Sequence, residues 1–276
     1  MIFQSHIPNF PLNHYIESLF YYEGLSPIHH LDRFLPDGNT ELIINLNEIP
    51  QHIHHNETLN QIQTCKRAWV SGVRTRPITI PSGRGSRMLV IAFRKGKAFP
   101  FYPLPMNDLN DFVIEADLIF GKSILDLREQ LLASSSTGQM FLLTETFLLT
   151  RAGYNVLQAD SFSKCIDYAV TQIIKYPNQF CLEKLSDEIG YSQKHFIHLF
   201  KAQVGLTPKQ YMKILRFQKT ILEIESTSIH DWTFLARQNG FYDQSHFIHD
   251  FKGFSGFTPN EYIKRKTETL NYIPVS

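Results

Sequence analysis

The chain is poor in the features that mark secreted, membrane and metal-held proteins. Only three cysteines, Cys65, Cys165 and Cys181, occur in 276 residues. They are too few and too scattered for a disulfide framework or a four-ligand zinc site, and they suit a reducing compartment. No stretch approaches the roughly 18 uninterrupted apolar residues of a membrane span. The opening MIFQSHIPNF has no basic segment followed by an apolar one, so no signal peptide is expected. Net charge is scarce too, at +1. From residue 160 onward there are 14 Lys/Arg against 12 Asp/Glu. Any basic surface must be local, which argues against a non-specific binder that relies on phosphate neutralisation. There is no nucleotide loop, no GxSxG, no HExxH and no carboxylate pair set by spacing. The expectation is a soluble cytoplasmic protein that is not an enzyme, with no catalytic residue and no cofactor.

Apolar residues make up 43% of the chain and charged ones 19%, enough for real cores. The first half carries strand and turn signals. FLPDGNTELIINLNEIP has a Pro-Asp-Gly turn followed by Ile43, Ile44 and Leu46 as a buried strand. WVSGVRTRPITIP alternates around Gly72 and Pro77. RMLVIAFRKG is apolar from Met88 to Phe93, and FVIEADLIFG is a candidate fourth strand. The period then changes: Ile124, Leu127, Leu131 and Leu132 recur at helical spacing, and QMFLLTETFLLTRAG continues as a second helix. The pattern is lost near residues 153–162, which marks the domain boundary.

The second half reads as helices only. Ile166, Ala169, Val170, Ile173 and Ile174 form one stripe, ended by Pro177. CLEKLSDEIG is closed by Gly190, and SQKHFIHLFKAQVG follows with Ser192 as its cap. Thr207-Pro208 opens a long helix over 208–225. IHDWTFLARQNG is closed by Gly240; DQSHFIHDFKGFSG follows, and Thr258-Pro259 opens the last helix. Residues 195–213, HFIHLFKAQVGLTPKQYMK, laid on residues 246–264, HFIHDFKGFSGFTPNEYIK, agree at 11 of 19 positions. The order of parts repeats as well, which is the plan of two helix-turn-helix units. Phe196, Leu199 and Phe200 fall on a core face, as do Phe247, Ile248 and Phe251. The other faces carry polar side chains at the spacing a major groove requires.

These segments, LEKLSDEIGYSQKHFIHLFKAQVGLTPKQYMKILRFQKTILEI and WTFLARQNGFYDQSHFIHDFKGFSGFTPNEYIK, resemble the DNA-binding domain of AraC/XylS-type transcription regulators over residues 163–266. The resemblance implies two helix-turn-helix units, joined by the 208–225 helix, that enter successive major grooves of double-stranded DNA. Carried over position by position, it makes Gln193, Lys194, Ile197 and His198 base-facing in the first unit. In the second it does so for Gln244, Ser245, His246 and His249. Lys201 and Lys252 would meet phosphates, with Thr207 and Thr258 as caps near the backbone and Ser192 and Asp243 opening the two reading helices. Family members often carry Arg where His198 and His249 stand; a guanidinium can grip guanine with two hydrogen bonds, a neutral imidazole with one.

FLPDGNTELIINLNE, VSGVRTRPITI and LVIAFRKGKAFPFY resemble an amino-terminal domain found before this DNA-binding domain in little-characterised regulators. It implies a sensing or dimerising role. The whole is expected as an α+β chain. Residues 1–155 form a β-rich, cupin-like domain with trailing helices, and residues 163–266 an all-α domain of about seven helices. The expected function is sequence-specific transcription regulation in the cytoplasm, at the nucleoid. Besides DNA, the expected partners are RNA polymerase if the chain activates, a small-molecule effector and a second copy in a homodimer. The rival is a metal-dependent enzyme or metal sensor in the first half, with His52 and His54 of QHIHHN as ligands; a polar loop is the favoured reading of that stretch, and no metal site is assigned. Arg74, Arg76, Arg84, Arg87 and Arg94 are read as strand-edge cations. Phe99, Phe101 and Tyr102 are read as a core lid, and Trp232 and Phe234 as scaffold-helix core.

Overall fold

Period-two alternation builds the amino-terminal half as two antiparallel sheets. The computed structural model describes residues 1–153, 161–178, 181–226 and 231–275, so the expected boundary near 153–162 lies mostly outside the described residues. The strands are β1 (Ile2–His6), β2 (Ile16–Glu23), β3 (Leu31–Phe34), β4 (Glu41–Asn45), β5 (Gln51–His54), β6 (Gln61–Cys65), β7 (Ala68–Ser71), β8 (Ile78–Pro81), β9 (Arg87–Phe93), β10 (Val113–Glu115) and β11 (Tyr272–Pro274). One sheet has the order β1-β2-β9-β4-β7-β10, the other β11-β3-β8-β5-β6.

The run Met88–Phe93 is apolar throughout because β9 is covered on both faces. Leu89, Ile91 and Phe93 meet a core shared with three helices, α1 (Asp117–Phe120), α2 (Lys122–Leu132) and α3 (Thr137–Ala152). Met88 and Val90 point the other way with Ile43, towards the second sheet. Each such side chain contributes about 1.5–3 kcal/mol on burial. Between the sheets remains a cavity of about 120 Å³. The expected strand FVIEADLIFG divides into β10 and α1. Phe101 and Tyr102 are buried in the helix-side core, as a lid would be.

Seven helices follow among the described residues: α4 (Ser161–Lys175), α5 (Leu182–Ile189), α6 (Gln193–Val204), α7 (Pro208–Ser226), α8 (Trp232–Gln238), α9 (Gln244–Ser255) and α10 (Pro259–Arg265). Ile166, Ala169, Val170 and Ile173 of α4 are buried as their spacing predicts, whereas Ile174 is exposed. Phe234 departs from expectation: it is 62% exposed, because the short α8 buries only Leu235 and Ala236.

The two halves share cores. Val73 packs in the core of the first helix-turn-helix unit, and Leu35 and Ile273 in that of the second. The Pro-Asp-Gly turn expected at 36–38 forms this joint. Gly38 holds a left-handed φ of 84°, and a Cβ there would stand 3.3 Å from Leu215 and 3.4 Å from Tyr211. The Tyr211 hydroxyl donates to the Gly38 carbonyl at 3.3 Å, and the Gln218 amide to that of Pro36 at 2.7 Å. Beyond α10 the chain returns to the first half, where β11 pairs with β3, Tyr272 opposite Phe34 and Ile273 opposite Arg33. The sequence pattern gave no sign of this return. Leu35→Ala is therefore expected to destabilise the helical half, by about 2–5 kcal/mol as for other large-to-small core changes. Urea unfolding followed by Trp232 fluorescence checks it; a loss below about 1 kcal/mol contradicts a shared core.

Candidate nucleic-acid interface

The two repeated units are assembled alike. In the first, α5 ends at Gly190, whose left-handed φ of 77° turns the chain. Ser192 caps α6, its hydroxyl accepting from the His195 amide at 3.3 Å. In the second, α8 opens on Asp231, and Asp243 caps α9 by accepting from the His246 amide at 2.7 Å. The helices that follow, α7 and α10, are capped in parallel. The Thr207 amide donates to the Gln210 side chain at 3.1 Å while the Thr207 hydroxyl accepts from the Gln210 amide at 3.3 Å. Thr258 and Glu261 repeat this reciprocal pair. Hydrogen bonds from the Thr258 backbone and hydroxyl hold the Glu261 carboxyl below its ordinary range.

The core faces also match. Phe196, Phe200 and Val204 are buried in α6; Phe247, Phe251 and Ser255 are buried at the same positions of α9. Leu199 and Ile248 are half-buried at the margins. What remains outside is the candidate reading surface. Ser192, Gln193, Lys194, His198 and Lys201 are exposed, with Ile197 half-buried beside them. In the second unit Asp243, Ser245, His249 and Lys252 are exposed. Ser245, His249 and Lys252 share an open groove along α9 with Ile248 and Gly253. Gln244 and His246 are less free. The Gln244 carbonyl accepts from the Thr233 hydroxyl at 2.9 Å, and His246 turns its ring edge to Phe241, centroids 5.8 Å apart, with Nε2 3.5 Å from Asp250.

Asp250 is a centre that the sequence did not single out. Lys213 Nζ at 3.4 Å, Arg216 Nη2 at 3.5 Å and His249 Nδ1 at 3.7 Å approach it as well. Lys213 and Arg216 stand on α7, so the carboxylate ties α7 to α9. Arg216 also donates to the Gly240 carbonyl at 3.0 Å and lies 4.1 Å over the Phe241 ring. Burial pulls the Arg216 pKa down, and Asp250 opposes that shift. The only trace in the sequence is the one acid inside the second HFIHDFK. Tyr242, in the turn before α9, is 91% exposed and was not among the expected contacts either.

The other candidates separate. His52 and His54 lie on strand β5, not in a loop, and both use Nδ1 within the protein: His52 towards the Thr64 hydroxyl at 3.3 Å, His54 towards the Leu59 carbonyl at 2.8 Å. Among the described residues no group of three or more His, Cys, Asp or Glu could hold a metal ion. The five arginines do not converge. Arg84 donates to the Pro27 carbonyl, Arg94 to that of Asn13, Arg87 to the Tyr21 hydroxyl, and Arg74 is largely buried beside Asp111. No helix among the described residues is long and apolar enough to cross a membrane.

Residues 185–265 match the family described as "Helix-turn-helix domain", and residues 4–115 that described as "Domain of unknown function (DUF6597)". An uncharacterized HTH-type transcriptional regulator of Staphylococcus aureus is 26% identical over 108 residues, 39% of this chain and 14% of the relative. One of Haemophilus influenzae is 24% identical over 102 residues, 37% of this chain and 34% of the relative. The matches thus span well under half the length of either relative. Among solved structures, ToxT from Vibrio cholerae is similar at a TM-score of 0.43 and 10% identity, covering 95% of this chain and 98% of that one. The C-terminal domain of AraT, a response regulator from Geobacillus stearothermophilus, is similar at 0.36 and 20% identity, covering 40% and 93%. The chain is thus similar over residues 185–265 to a helix-turn-helix family, and over residues 4–115 to a domain family of unknown function.

Proposed function

We propose that the chain is a sequence-specific DNA-binding transcription regulator that sets α6 and α9 into successive major grooves. The observation that carries this is the repeat in space: two equally capped helices, each burying two phenylalanines and leaving a polar face outside, at either end of one 19-residue helix. At about 1.5 Å per residue that helix spans roughly 28 Å, which with its flanking turns suits one duplex turn of about 34 Å. Lys194, Ile197 and His198 in α6 and Ser245 and His249 in α9 would face bases. Lys201 and Lys252 would face phosphates, as would the amides at the helix starts opened by Ser192, Asp243, Thr207 and Thr258. Gln193, Gln244 and His246 stand at the edges of these surfaces.

In this reading residues 1–155 sense an effector or dimerise, and residues 163–266 bind DNA. The shared cores make the arrangement of the two parts a quantity that an effector can shift. A second copy of the chain would double the phosphate contacts, and RNA polymerase would be the partner of an activating form. The place of action would be the cytoplasm, at the nucleoid.

Fluorescence anisotropy with a selected duplex tests the groove assignment. Lys194→Ala is expected to cost about 1–3 kcal/mol and to relax preference at one base position, as loss of a base contact does. Lys201→Ala should weaken all sequences alike and reduce the salt slope by about 1. If neither changes binding, these helices do not read DNA. His249→Arg should tighten binding where a guanine can be placed opposite it, by about 1–3 kcal/mol for a good bidentate pair; weaker binding to every duplex would place His249 away from the bases.

A further inference from the structure

The cavity between the two sheets has a composition unlike an ordinary packing gap. Phe20 and Tyr22 of β2, Phe34 of β3, Trp69 of β7 and Tyr272 of β11 line it, together with Glu41 of β4. Glu41 shares its strand face with Ile43, which also lines the space, so its side chain is directed inward by the alternation of the strand. Among the described residues its carboxyl has no hydrogen-bond or ion-pair partner. No Lys or Arg lines the space. The nearby Lys95 ammonium donates instead to the Asp37 carbonyl at 2.7 Å and to Asn39 at 2.9 Å. A half-buried acid among five aromatic rings, with no Lys or Arg beside it and the lining His52 turned to Thr64, is the inverse of an anion site. Rings present their negative faces to cations and hold them most strongly where water is excluded.

We propose that this cavity is a binding site for a small organic cation, a quaternary or alkyl ammonium of about six heavy atoms, held by the aromatic faces and the Glu41 carboxylate. The size follows from the volume. At about 120 Å³ the space is slightly smaller than the roughly 150 Å³ cavity that accepts one benzene. A long acyl chain does not fit, and an anion would meet Glu41 with no counter-charge. Burial and the neighbouring Asp37 push the Glu41 carboxyl up to about 8, and an ammonium beside it would favour the charged carboxylate.

The proposal rests on the sensing role given to residues 1–155, and it supplies that role with a route. Phe34 and Tyr272 are opposite one another on the paired strands β3 and β11, ring centroids 4.9 Å apart, facing the cavity. The next pair, Arg33 and Ile273, faces the other way. Arg33 lies 4.6 Å over Phe257, just beyond the end of α9, and Ile273 is in the second unit's core. A Cβ on Gly256, the residue that ends α9, would stand 2.4 Å from Arg33. A ligand that moves the Phe34–Tyr272 pair therefore moves the seat of the second reading helix, one residue away.

The test is a calorimetric titration of tetramethylammonium chloride into the full chain. Sodium chloride at equal ionic strength and tert-butyl alcohol, an uncharged molecule of similar shape, serve as comparisons. A saturable one-site heat is expected for the ammonium alone, weakened about tenfold or more by Glu41→Gln and by Trp69→Leu, as when a desolvated ion and ring are parted. Absence of a saturable heat overturns the proposal, as does equal binding of the alcohol; neither result depends on how the variants fold. Unchanged affinity in a folded Glu41→Gln protein also overturns it. Anisotropy with duplex DNA on the same preparation separates this from the regulator reading. A chain that binds duplex but not ammonium leaves the regulator and removes the site; one that binds ammonium but no duplex does the reverse.

Discussion

The packing of α7 against both helix-turn-helix units is the constraint on which the rest of the structure depends. Its first half places Tyr211, Ile214 and Leu215 in the core of the first unit. Its second half places Phe217, Ile221 and Ile224 in the core of the second. One continuous helix thereby fixes the separation and relative rotation of α6 and α9, because neither can turn without unpacking a fully buried side chain. The ion cluster at Asp250 adds direction to this apolar joint. Arg216 and Lys213 reach from α7 to α9, and Arg216 also holds the turn before α9 through the Gly240 carbonyl. Such a buried charge pair adds little net stability, yet removing one partner is costly, so it specifies geometry more than it strengthens the fold.

The same helix joins the helical half to the sheets. Tyr211 and Gln218 donate to carbonyls on either side of the Pro36–Gly38 turn, and Leu35 enters the second unit's core from that turn. Lys97 pairs with Asp167 of α4 at 2.5 Å, closing a second contact near the first unit. Strand β3 is the shared wall: one face lines the cavity and the other seats the carboxyl end of α9. Val73, Leu35 and Ile273 are thus core residues common to the two halves.

Much of this was legible in the sequence because it is local. The Thr-Pro helix starts, the acid and serine caps and the paired phenylalanines are set by residues three or four apart, and the repeat doubled each signal. The strands at 41–45 and 87–93 were legible because a turn signal or an unbroken apolar run announced them. Elsewhere the fold is set by pairing that the local pattern does not carry. Strand β3 reads LDRF, with Asp32 and Arg33 buried against expectation. Arg33 lies over the Phe257 ring and donates to the Asn56 carbonyl, both distant in sequence. Strand β11 has three residues and no period of its own, and exists because β3 offers an edge. Phe234 was read as core from its place beside Leu235 and Ala236; the short α8 turns it outward. The cavity could not be foreseen, since its walls come from strands spread from β2 to β11. The Gln244 and His246 positions were legible as parts of the reading helix, whereas their engagement by Thr233 and Asp250 was not.

The proposed reading has two similar helices, held by one connector, meeting two adjacent major grooves. Selection of bound duplexes from a random pool by the full chain tests it most directly. The expected result is enriched duplexes with two clusters of specified bases, their centres about 10–10.5 base pairs apart on one face of the helix. Enrichment of a single cluster, or of two clusters at variable spacing, would contradict it.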